Sequence, residues 1–251
     1  MLCDLDRDLA AARAQQFGIP EVETDYQRLL SRNDIDVVDI VTRGNDRGEN
    51  HEELTFAALE AGKHVLCEKP VCHDYRDIRR AHEVAASKDL KTKVGLTFRY
   101  APAVMYMQAL IAEGFIGECA NGALLSVQSA YVTVGNYPGI EARIYGSKGA
   151  LVCRLVEEFR ECQTLHGAKP DAVEFVRMPI PARFFPPGVA PGEPWPSLFY
   201  GNLVHNFMQE LQDGDGVNQG NFAQSACVQE VINAVALSHR QRRWVDLPLE
   251  A

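Results

Sequence analysis

Apolar and polar positions follow two periods along this chain, and the switch between them predicts its elements. Met1-Leu2-Cys3-Asp4 predicts the end of a strand that runs straight into a helix. In that helix Leu9, Ala12, Arg13, Gln16 and Phe17 fall at helical spacing, with Asp6 and Asp8 placed to cap its positive end. Gly18-Ile19-Pro20 stops it, and Thr24-Asp25 opens a short second helix through Leu29 and Leu30. The β-branched run 36–42 predicts a buried parallel strand, and the polar, Gly-containing stretch 43–50 a loop. Residues 51–61 are helical until Gly62, and 63–67 form another strand. A helix over 74–87, a strand over 92–98 and a helix over 102–113 continue the rhythm. Strand and helix in alternation mean a parallel α/β layer.

After Gly117 the pattern changes. Residues 124–134, 140–145 and 150–157 are strand-like, and Gly146-Ser147-Lys148-Gly149 forms a hairpin turn between two of them. Residues 184–196, rich in Pro and Gly, read as a loop. Helices near 200–212 and 222–239 precede a final strand over 244–247. The division expected is 1–118, an α/β domain, and 119–251, an α+β domain with a mostly antiparallel, open-faced sheet.

Charge narrows the partners. A net charge of -9 opposes a phosphate backbone, so nucleic acid is not expected, and Arg240, Arg242 and Arg243 make only a short basic cluster at a helix end. Seven cysteines are scattered without a C-x-x-C pair, which reads as reduced thiols. The opening residues do not read as a signal peptide, and no apolar run has the length of a membrane span. The expectation is a cytoplasmic protein without a membrane partner.

The stretch 36–70, DVVDIVTRGNDRGENHEELTFAALEAGKHVLCEKP, resembles the Gfo/Idh/MocA oxidoreductases in its order of parts. A strand ends in Thr, a loop leads to a His, and a helix runs to A-G-K-H-V-x-x-E-K-P. KVGLTFRYAPAVMYMQALIAEGFIGE (93–118), YPGIEARIYGSKGAL and the final helix pair extend the likeness. The resemblance implies a Rossmann-like sheet joined to the antiparallel domain. It also implies NAD(P), a small polyhydroxylated substrate such as a sugar or inositol-like ring, and a homo-oligomer through the C-terminal sheet.

Within that frame Lys69 is the candidate catalytic residue. An ammonium beyond a strand's carboxyl end can hydrogen-bond a reacting hydroxyl and hold the negative charge that develops there. Outside this string, Glu68-Lys69-Pro70 would read as a surface ion pair. Glu68 would fix the Lys or meet the nicotinamide ribose. Asp4, after a strand, can accept from both ribose hydroxyls of NAD and would repel the phosphate of NADP, so NAD is preferred; the plain alternative is a helix cap. Thr42, at its strand's end, would run past the cofactor phosphates, or simply terminate the strand. His51 matches the family's loop histidine, or is an exposed residue at a helix start. Arg99, in FRYAP, would reach the nicotinamide or substrate, or serve structure alone. A lone His205 on a helix is more often a filler than a catalyst. Cys67 and Cys72 flank the turn without a nearby His set, and read as small buried side chains rather than metal ligands. No metal is expected.

Two motifs of such enzymes do not occur. The chain contains no G-x-G-x-x-G, and Asp4 stands where the acidic residue roughly 20 positions beyond that turn belongs. No D-x-x-x-H follows Gly117, and the segment between Gly117 and His166 holds no histidine. The expectation is an incomplete Rossmann-like sheet lacking its first strand and turn. The activity expected is an NAD(P)-dependent sugar or polyol dehydrogenase; the alternative is a truncated, non-catalytic relic or a ligand-binding module of the same fold.

Overall fold

A computed structural model of the chain describes residues 1–42, 49–112, 127, 139–156, 161–213 and 219–250. They divide into two compact units, Met1–Gly95 with Asp213–Ala251, and Leu96–Gln212.

In the first unit β1 (Leu2–Cys3) enters α1 (Arg7–Phe17), whose N-cap is Asp6: its carboxylate accepts from the amides of Asp8 and Leu9. Gly18 ends the helix in the left-handed region at φ 66°. The buried face of α1 is Ala10 and Ala14, while Leu9 and Phe17 are exposed, so the inward side is the small-residue one. β2 (Val22–Glu23) pairs parallel with β1, and α2 (Tyr26–Leu30) follows, capped by Asp25. β3 (Val37–Ile40), α3 (Glu49–Glu60), β4 (His64–Cys67), α4 (Tyr75–Ser87) and β5 (Thr92–Val94) build a three-stranded parallel sheet of order β3-β4-β5. The strand expected over 92–98 stops at Val94, and Thr97–Tyr100 is a 3-10 turn.

The parallel strands are thus in two pieces, β1-β2 and β3-β4-β5, and no ladder joins them among the described residues. Burial follows pairing. β4, paired on both sides, hides Val65, Leu66 and Cys67; β3, paired on one side only among the described residues, leaves Val37 and Val38 half-buried and Asp39 exposed. The incomplete Rossmann-like sheet and the following antiparallel sheet are therefore both present.

The second unit begins in the 3-10 turn and α5 (Pro102–Ala112). β6 (Ile140–Gly146) and β7 (Gly149–Leu155) form a hairpin in which Gly146 pairs with Gly149 across Ser147-Lys148, with Gly149 at φ 148°. A Cβ at Gly149 would come 2.5 Å from the carbonyl oxygen of Ala168. β8 (Gln163–Ala168) and β9 (Val176–Arg177), neither of them expected, complete an antiparallel sheet β6-β7-β8-β9. The expected strand over 124–134 lies outside the described residues, Val127 apart. α5 and α6 (Trp195–Asp213) close the core, in which Leu151, Leu155, Leu165, Leu198 and Phe199 pack together.

The division by packing differs from a cut at 118. α5 packs on β7 and β8 rather than on the parallel sheet. α7 (Phe222–Gln241) returns to the first unit because α4 holds it: Arg79 pairs with buried Glu230 at 2.6 Å, and Asn233 Oδ1 accepts from the Tyr75 amide. The expected final strand over 244–247 is not formed. Trp244 is 95% exposed there, so its apolar side chain does not draw the segment into a sheet. No helix among the described residues is long and apolar enough to cross a membrane.

Candidate active site at the Glu68-Lys69-Pro70 turn

Because β3, β4 and β5 are parallel, their carboxyl ends share one edge, with Ile40 opposite Cys67 and Cys67 opposite Val94. Ligands of open α/β sheets bind beyond such an edge. The ladder continues one residue further: the Glu68 amide donates to Ile40 O (2.9 Å), and the Gly95 amide to Cys67 O (2.8 Å). That anchors Glu68 between its two neighbours. Its carboxylate accepts from the Lys69 amide at 3.1 Å and lies against Gly95, where a Cβ would come 2.9 Å from Glu68 Cδ. Any side chain at 95 would displace the carboxylate. Lys69 is exposed and is joined to Pro70 by a cis peptide bond.

His51 and Thr42 meet at the same place. His51, in the first turn of α3, is 5% exposed. Its Nε2 lies 2.8 Å from the carbonyl oxygen of Thr42 and its Nδ1 2.9 Å from that of Pro70. The expected alternative of an exposed helix-start residue does not hold, because the ring is packed inside and spent on the two backbone turns. The Thr42 side chain is exposed.

Asp39 was not among the expected site residues. Its side chain keeps contact with solvent, yet partial desolvation and the nearby Glu68 charge push its carboxyl up to about 6. A sign of this was available in the sequence: Asp39 is the acidic interruption of the run Val37-Val38-Asp39-Ile40-Val41. Gly95 had no such signal, because its need is set by a side chain 27 positions away. Burial pushes the Cys67 thiol up to about 12 and raises that of Cys72 as well, so neither supplies a thiolate.

The remaining candidates stand elsewhere. Asp4 follows β1, is exposed, and accepts from the Asp6 amide at 2.9 Å. It closes a turn ahead of α1, and Asp6 is the cap. Arg99 belongs to the second unit, in the turn Thr97–Tyr100. His205 is an exposed residue of α6. The site residues brought together are thus Thr42, His51, Glu68 and Lys69, with Asp39 added. Among the described residues no three His, Cys, Asp or Glu side chains gather as a metal site.

Residues 2–96 match the Gfo/Idh/MocA family, described as an oxidoreductase family with an NAD-binding Rossmann fold. Over that span the chain is similar to this family. Over 132 residues it is 31% identical to a levoglucosan dehydrogenase of Pseudarthrobacter phenanthrenivorans, covering 53% of this chain and 32% of the relative. Over 188 residues it is 31% identical to inositol 2-dehydrogenase 4 of Saccharopolyspora erythraea, covering 73% of this chain and 51% of the relative. The chain thus spans about a third to a half of the length of these relatives. Among solved structures, levoglucosan dehydrogenase in complex with NADH and levoglucosan aligns with a TM-score of 0.78 at 22% identity, over 99% of this chain and 90% of that one. An oxidoreductase domain protein from Kribbella flavida aligns at 0.76 and 24% identity, with the same shares. At that identity the likeness is one of fold.

Proposed function

We propose that this chain is a Gfo/Idh/MocA oxidoreductase and carries the hydride-transfer site of an NAD-dependent sugar or polyol dehydrogenase, with Lys69 as the catalytic residue. The observation that carries the reading is an exposed Lys69 at the shared carboxyl edge of β3, β4 and β5, on a turn whose backbone is fixed by Glu68, Gly95 and His51. A bound NAD would supply the acceptor for the hydride of the substrate's carbinol carbon. The chain's own task is the oxygen. In oxidation the Lys69 amine hydrogen-bonds the reacting hydroxyl and takes up its proton, becoming the ammonium, as the hydride leaves the carbinol carbon; in reduction that ammonium returns the proton to the carbonyl oxygen.

The acceptors presented here suit the nicotinamide and ribose portions of NAD. Glu68 presents a carboxylate at the strand edge, and the Thr42 backbone passes the same edge. One Asp4 oxygen accepts from the Asp6 amide, which leaves acceptor capacity for a ribose hydroxyl and a negative charge that opposes the phosphate of NADP. Arg99 is assigned to the substrate or the nicotinamide, and Thr42 to the cofactor phosphates. The parallel unit takes the cofactor. The antiparallel unit takes a homo-oligomeric contact, supported by exposed Tyr145 and Val176 on its sheet. The reduced thiols favour the cytoplasm.

The test is a titration of the full chain with NADH, followed by nicotinamide fluorescence, and then a screen of sugars and polyols with NAD. Saturable binding that weakens in Asp4→Ala, with polyol oxidation lost in Lys69→Met, is the expected result. A folded chain that does not bind NADH, or turnover that survives Lys69→Met, rules the reading out.

A further inference from the structure

The two contacts of His51 constrain its chemistry as well as its place. Both partners, Thr42 O at 2.8 Å from Nε2 and Pro70 O at 2.9 Å from Nδ1, are backbone carbonyl oxygens, which only accept. A neutral imidazole has one N–H and one bare nitrogen. It can satisfy one of these carbonyls and must aim a lone pair at the other. At 5% exposure no room is left for the ring to turn one edge to water, and an unmet contact of this kind inside the protein is unfavourable. Only the imidazolium offers two N–H donors, and hydrogen bonds from an ionised donor are the stronger kind.

We propose that His51 carries a proton on each ring nitrogen and is a positioning residue, a cationic staple that ties the end of β3 to the Glu68-Lys69-Pro70 turn. α3 brings it there: the helix begins at Glu49, so His51 lies in the turn that follows the excursion from β3 and can reach back to Thr42 and across to Pro70. The Pro70 carbonyl is adjacent to Lys69, so fixing it fixes the direction in which Lys69 leaves the sheet. The ring touches no reacting atom. Its consequence for catalysis rests on the reading of Lys69 above; its protonation state does not.

The experiment is a long-range proton–nitrogen NMR spectrum of the full chain with nitrogen-15 in its histidines, recorded near neutral pH without cofactor. His51 is identified by the signals missing from His51→Gln. The expected pattern is two ring nitrogens of nearly equal shift, both bearing exchange-protected protons. Two widely separated shifts, one of a bare nitrogen, overturn the proposal. A second measurement covers positioning. In His51→Gln the Glu68 and Lys69 amides should exchange with solvent at least about tenfold faster, while amides of β7 stay as in the parent. Unchanged exchange at Glu68 and Lys69 overturns the staple. A charged ring in a chain that never binds NADH removes the dehydrogenase reading alone, whereas a neutral ring in an active enzyme removes the staple alone.

Discussion

Buried polar groups are used differently in the two units. In the antiparallel unit they close the backbone. Asn202 is 5% exposed and donates to the carbonyls of Tyr100 (3.0 Å) and Phe184 (2.9 Å), and Gln163 Oε1 accepts from the Ala103 amide at 2.8 Å. These contacts sit beside a continuous apolar core that includes Phe199 at 0% exposure. In the parallel unit some do the same, Lys93 Nζ donating to the Gln219 carbonyl at 2.7 Å, but other polar groups gather at the ends of strands. His51 holds two turns, Glu68 lies on a glycine, and Asp39 keeps a carboxyl whose charge its surroundings oppose. The first arrangement lowers the free energy of the fold. The second leaves charged groups at a strand edge, as sites of the kind proposed above require.

The largest effect that would sharpen this contrast is at Lys69. Lys69→Met should lower polyol turnover roughly a hundred- to ten-thousand-fold, the range of a lost acid–base group, and leave the melting temperature within a degree or so because the side chain is exposed. A steady-state assay beside a thermal melt reads both. Phe199→Ala should do the reverse. It should cost about 3–5 kcal/mol in a urea titration, the range for deleting a fully buried aromatic, and leave NADH affinity in the folded fraction unchanged. Loss of NADH binding at urea concentrations where the folded state persists would break the separation of roles.

Smaller effects test the cofactor end. Asp4→Ala should weaken NADH binding by roughly tenfold or more, as expected for removing a charged acceptor, and should weaken NADPH binding less. Equal losses for both nucleotides would remove the assigned preference. Asp39→Asn should raise stability at neutral pH by about 1 kcal/mol, after allowance for its contact with solvent. The sign follows from the shift: the carboxyl moves from 3.8 up to about 6 on folding, so the folded state holds the proton more tightly. Stability tied to protonated Asp39 is complete below the unfolded value and declines as pH rises through about 6. Urea titrations between pH 4 and 7 should show that decline in the parent and not in the Asn variant.

Most of the chain's order was legible because it is local. Apolar runs with β-branched residues marked β3 and β4, Asp25 and Asp74 capped the helices they precede, and Gly18 and Gly62 ended theirs in the left-handed region. The hairpin over Gly146-Ser147-Lys148-Gly149 declared itself by turn chemistry. β8 and β9 escaped notice because short strands carry little pattern of their own and are defined by the neighbour that pairs with them. The run over 244–247 misled for the matching reason: it has the residues of a strand and no partner.

The sequence by itself determined the alternation of elements through α5, the two classes of sheet and the string that carries Lys69, since periodicity, caps and turn residues act within a few positions of one another. The tertiary structure decided everything that depends on which surfaces meet. It turned α1 onto Ala10 and Ala14, sent α7 back to α4 through Glu230 and Asn233, and put Gly95 under Glu68. It also set two carbonyls, 28 positions apart in sequence, against the opposite nitrogens of one buried ring. Close approach of residues distant in sequence is a property of packing, and no local preference encodes it.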